Sequence, residues 1–172
     1  MQRKIFPIKL YILLAIALQG AELSCLSRYA TDLPIREKFK IIGFGNASLI
    51  EHLLAGFAAP AIAVALVLLL MPVTKTRFIK TRFRVLALVK FRRWLMSRMR
   101  PTYITHFTAI IACAYVMVSL QWEASQMEIR GFFQFDQFGM DLAGAFAFCV
   151  SMWALLEKNR QLAKAQRSFS LA

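Results

Sequence analysis

The chain has 172 residues, 59% of them hydrophobic and 18% charged, with 22 Lys and Arg against 9 Asp and Glu for a net charge of +13. In a soluble protein so basic a balance would point to nucleic acid; an apolar load this heavy excludes an ordinary soluble domain and makes the position of the charges decisive. Cys25, Cys113 and Cys149 stand far apart with no CxxC, which argues against a disulfide framework or a zinc site and leaves them as small apolar packing residues.

Charge-free intervals locate the elements, because about 20 apolar residues cross a hydrocarbon core of ~30 Å. The first, Leu10 to Ala21, follows Arg3, Lys4 and Lys9 and has the outline of a signal peptide. Cleavage after Ala21 or Gly20 would put Gln19 or Leu18 at the −3 position, where a small residue is needed. The segment is therefore read as an uncleaved span over about 6–26, with Lys9 and Glu22 reaching the two interfaces. Next comes a charge-balanced stretch with turn chemistry at Pro34 and Gly43-Phe44-Gly45-Asn46.

Leu53 to Thr74 carries no formal charge and predicts a second span over 53–73, with Pro60 set to kink it. The segment 74–102 is strongly basic: ten cations from Lys75 to Arg100 and no acid, interleaved with Phe78, Phe83, Phe91 and Trp94. Arg82, Arg84, Arg92 and Arg93 are its candidates for lying on anionic lipid headgroups. A third span follows over 103–122, interrupted only by His106. The loop from Glu123 to Asp141 is acidic and carries Phe132, Phe133, Phe135 and Phe138, which suggest an extended or re-entrant segment and a recognition edge. The fourth span covers 138–156, and a basic tail closes the chain.

Lys and Arg near span ends are retained in the cytoplasm. The counts agree at every segment, so both termini and the loop 74–102 are expected inside a bacterial inner membrane. The fold class expected is all-α: a polytopic membrane protein with a bundle of four transmembrane helices. Gly139, Ala143, Ala147 and Ser151 repeat every four residues along the last span, as do Ala55, Ala59 and Ala63, and Thr105, Ala109 and Cys113, in two others. Small residues at this spacing let helix backbones approach closely, in the bundle or against a partner.

Little in the sequence carries chemistry. The ionisable residues within spans (Lys9, Glu22, Glu51, His52, His106, Asp141 and Glu157) fall at span ends, away from the midplane where a transporter needs them. Glu51, His52 and Asp141 approach the outer face together, a set suited to acid–base work or a metal but read here as polar anchors. The two aspartates of "FDQFGMD" match no signal-peptidase motif, and no nucleophile stands with a histidine base. The expectation is a non-enzymatic protein without cofactor, metal or nucleic acid.

In layout the chain resembles the four-span inner-membrane immunity proteins that protect bacteria against pore-forming bacteriocins and similar toxins. The features shared are cytoplasmic ends, a basic inner loop, outer segments of moderate length and no catalytic motif. No family motif stands at any position, so no residue's role carries over. The resemblance implies that the spans recognise toxin helices within the bilayer and prevent pore opening. An accessory or assembly subunit of a larger inner-membrane complex is the other reading, and a lipid-modifying enzyme using Glu51, His52 and Asp141 a third.

Overall fold

The computed structural model describes residues 5–30, 32–69 and 101–169, and within them the chain is all-α. The elements are α1 (Ile5–Tyr29), α2 (Ile35–Ile42), α3 (Ala47–Leu69), α4 (Pro101–Arg130) and α5 (Phe135–Phe169). All but α2 are long and apolar enough to cross a membrane. The chain is a multi-pass membrane protein, and among the described residues four long helices form a bundle with one short extra helix. The basic segment, with Arg82, Arg84, Arg92 and Arg93, lies outside the described residues.

The helices run past the charge-free intervals, because charged side chains are accommodated within them rather than ending them. α3 takes in Glu51 and His52, and α4 continues through Glu123 to Arg130. The acidic loop expected over 123–141 thus contracts to the turn 131–134. Gly131 ends α4 in the left-handed conformation (φ 81°), its N–H bonding the Met127 carbonyl. The aromatic segment is therefore neither extended nor re-entrant. Phe135 and Phe138 belong to the first turn of α5, with the Phe133 ring centred 4.6 Å from that of Phe135, tilted, and 5.9 Å from that of Phe138, edge-on.

α2 was not legible as a helix. It follows Pro34, buries Phe39, and leaves Ile41 and Ile42 exposed. The turn after it is tight: a Cβ on Gly43 would lie 2.3 Å from the Asn46 carbonyl oxygen. Phe44 and Gly45 both take positive φ (52° and 94°). Asn46 then caps α3, its Oδ1 accepting from the Ser48 N–H at 3.0 Å.

α3 is the hub, in contact with each of the other helices. Toward it α1 turns the seam Leu10, Leu13, Ala17, Gly20, Ser24 and Ser27, spaced alternately three and four residues apart. Between α3 and α5 the backbones come closer still. A Cβ on Gly56 would lie 2.3 Å from the Asp141 carbonyl oxygen, and one on Gly144 the same distance from that of Leu53. Only glycine permits this crossing. One turn on, Pro60 is buried within an unbroken α3, and its missing N–H leaves the Gly56 carbonyl without the usual helical donor.

Three other small-residue stripes were expected to pack in the bundle or against a partner, and within the bundle most of their members give way to neighbouring residues, with Ala55, Ala63 and Thr105 half-buried. Gly139, Ala143 and Ala147 are exposed, with Ser151 half-buried and bonded to the Ala147 carbonyl; Gly144, Ala145, Phe148 and Met152 face inward instead. Ala59, Ala109 and Cys113 likewise face outward while Ala58, Ala112 and Thr108 are buried. A four-residue repeat alone does not say which side of a helix a neighbour occupies. Phe148 fills the centre of the bundle edge-on to Phe57. Cys25 and Cys113 are exposed rather than packed, and all three cysteines are free.

Candidate functional site

The end of α1, the start of α3, the end of α4 and the start of α5 meet at one end of the bundle, and polar side chains gather there. On one side, Glu51 is turned toward α1 and is 3% exposed. Its carboxylate accepts from Ser27 Oγ at 2.6 Å and from Arg28 Nε at 3.3 Å, and its backbone carbonyl accepts from Ser24 Oγ at 3.2 Å. Arg28 is itself about half exposed, so solvent screens that ion pair, and the short Ser27 bond fixes the carboxylate.

On the other side, Asp141 is as deeply buried and joins three helices. Tyr115 donates to its Oδ1 at 2.8 Å, Ser119 to its Oδ2 at 2.6 Å, and His52 Nδ1 lies 2.9 Å from the same Oδ2. Toward a carboxylate, this contact is made by the Nδ1–H tautomer of the imidazole. Three donors on one carboxylate hold it in place and keep its charge satisfied within an apolar bundle.

The expected trio of Glu51, His52 and Asp141 is therefore divided. Adjacent residues on a helix point about 100° apart, so Glu51 serves the contact with α1 while His52 serves the contact with α5. The histidine–carboxylate pair is real, yet Ser119 bonds to the aspartate and not to the imidazole, which is not the order of a nucleophile, base and orienting acid. Among the described residues no group of three or more His, Cys, Asp and Glu is placed to hold a metal ion.

Several members of this network were missed in the sequence. Thr108, Ala112, Tyr115, Ser119, Glu123 and Gln126 recur at spacings of three and four along α4 and form one inward stripe. A polar stripe crossing an otherwise apolar span is a legible signal, masked here by the charge-free criterion, which ignores Tyr, Ser and Thr. Ser24 and Ser27 on α1 carry the same signal more faintly.

The outer-loop aromatics divide as well. Phe132 and Phe135 are exposed, while Phe133 and Phe138 pack on their neighbours. Near the same end Phe44 is 98% exposed with its backbone in the left-handed region, a conformation that costs a non-glycine residue roughly 1–2 kcal/mol. No protein-family model, curated protein or solved structure matches the chain.

Proposed function

We propose that the chain is a non-enzymatic binding protein of a bacterial inner membrane, with both ends cytoplasmic, that docks a transmembrane helix of another protein onto the outward face of α5. The observation that carries this reading is the position of Gly139, Ala143 and Ala147. They face away from the bundle, a Cβ on Gly139 would meet nothing within 4 Å, and the internal crossing uses Gly56 and Gly144 instead. Small residues also face outward at Ala59, Ala109 and Cys113, but on α5 they run through three positions in register, flanked by the large and exposed Phe146 and Trp153. A smooth stripe lets a foreign helix approach, where association depends on close packing rather than on hydrophobic contrast.

The partner that the layout suggests is the membrane-inserted helix of a pore-forming toxin, held so that no pore opens. The test is protection. Sensitive cells making the chain are challenged with a set of pore-forming bacteriocins while ion leakage is recorded. Wild type should suppress leakage caused by at least one toxin. Ala143→Leu and Ala147→Leu, which face away from the core, should accumulate normally and lose that protection. Protection that survives both replacements would remove the α5 stripe from the mechanism.

A second reading, a resident subunit of a larger inner-membrane complex, is favoured by the apolar surface at the polar end. Ile41, Phe44, Phe132 and Phe135 stay exposed there, and Phe44 presents its ring to solvent from a turn whose left-handed conformation glycine would adopt more readily. On that reading the wild-type chain migrates in a stable complex without any toxin present. Phe44→Gly, relieved of strain, is then expected to weaken the complex while leaving the monomer as stable as before or more so.

A further inference from the structure

Four buried side-chain atoms among the described residues lack a hydrogen-bond partner, and all lie on the inward stripe of α4: Thr108 Oγ1, both Glu123 carboxylate oxygens and Gln126 Oε1. Thr108 is 15 residues before Glu123, about 22 Å along the helix axis, and stands apart. The other three atoms belong together, because residues three apart on a helix are neighbours. Glu123 is 1% exposed, the most deeply buried acid in the described chain. Its face is fixed by Ser119, one turn away, which donates to Asp141 on α5. The donors of that neighbouring network are engaged elsewhere: Tyr115, Ser119 and His52 all turn to Asp141.

A buried carboxylate without partners is among the costliest features a protein can hold, and here an unpaired amide oxygen accompanies it. All three orphan atoms are oxygens that accept and do not donate. What they lack is a positive charge or a donor. Oxygen-only donors suit a hard cation, and the formal charge selects its valence. One carboxylate is balanced by one positive charge, whereas a divalent ion would leave a net charge buried in a medium of low dielectric, where it is costly. We propose that Glu123 and Gln126 form a binding site for a monovalent alkali cation at the polar end of the bundle, beside the Asp141 network. The site needs neither the toxin nor the subunit reading to hold.

The experiment uses the full chain in lipid nanodiscs, with thermal unfolding followed by tryptophan fluorescence, to which the adjacent Trp122 contributes. N-methylglucamine is replaced by Na+ or by K+ at constant ionic strength. Binding to the folded state alone raises the unfolding temperature, so a saturable rise with one of the two ions is expected. Glu123→Gln should abolish the dependence. If that variant does not accumulate, Gln126→Leu keeps the carboxylate, and its half-saturating concentration should rise about tenfold, the loss of one neutral ligand. An unfolding temperature indifferent to both ions overturns the proposal, and a rise on acidification alone would show that Glu123 carries a proton instead. A dependence on Na+ or K+ unchanged in Gln126→Leu and in Glu123→Gln would likewise overturn it, by placing the ion elsewhere.

Discussion

Asp141 accepts from Tyr115, Ser119 and His52, side chains on two different helices. The loss of any one donor leaves two others on the carboxylate. Loss of the carboxylate strands all three. Interhelical hydrogen bonds within a membrane average about 0.6 kcal/mol and reach about 1.7 kcal/mol, so Ser119→Ala is expected to cost an amount in that range. Asp141→Ala leaves the buried Ser119 and the half-buried Tyr115 and His52 without their acceptor, at up to roughly 1 kcal/mol each and at most about 3 kcal/mol together. Denaturant unfolding in mixed micelles should separate the two variants by this margin. Equal costs would mean that the donors find other acceptors and that Asp141 does not organise this end. The same reasoning makes His52→Ala mild, because its partner stays satisfied.

The α3–α5 crossing is where an element depends on single atoms. Gly56 and Gly144 each have backbone of the opposite helix 2.3 Å from the place a Cβ would occupy, while Gly139, on the other side of α5, faces open space. Backbone cannot swing aside as a side chain can. Gly56→Ala and Gly144→Ala should therefore push the helices apart, at about 1–3 kcal/mol, the usual cost of overpacking. The displacement would also draw His52 away from Asp141, since both lie beside the crossing. Gly139→Ala should be neutral or stabilising by up to about 1 kcal/mol, because alanine is the better helix former. Measuring the three variants together separates the crossing from helix propensity, and identical behaviour would refute the close approach.

At the scale of the whole molecule, the cations between Lys75 and Arg100 and in the tail carry the expectation of cytoplasmic ends, since Lys and Arg near span ends favour that side. Reporter fusions near Lys90 and after Ala172 should read cytoplasm, and those near Phe39 and Gln126 the opposite side. A cytoplasmic signal at Gln126 alongside one at Lys90 would overturn the four-span arrangement. The all-α class and the membrane character were legible because apolar length is a one-dimensional property. The polar network was not, because it depends on which way each helix is rotated. His52 and Asp141 were singled out but grouped with Glu51, since sequence shows depth along a span and not its direction. Tyr115 and Ser119 escaped notice because uncharged hydroxyls do not interrupt an apolar run. The small residues were seen, yet the crossing chose Gly56 and Gly144, which have even less bulk than the alanines beside them.

The distribution of buried polar bonds has a consequence for how the chain is made. Glu51 on α3 is satisfied by Ser27 and Arg28 of α1, and Asp141 on α5 takes two of its three donors from α4. Each pair of successive spans is thus close to self-sufficient before it meets the other, with His52 supplying the one bond among these that joins the two pairs. Assembly can proceed as two hairpins inserted in turn from the ribosome and zipped together afterwards along Gly56 and Gly144. A chain severed near Val85, within the basic segment, should therefore still come together when its halves are co-expressed. Each half should reach the membrane, and an affinity tag on the first should retrieve the second. Placing Ala at Gly144 should weaken that retrieval while leaving insertion of either half intact. Halves degraded unless joined would instead show that neither hairpin is stable alone, and that the four helices must be assembled in a single step.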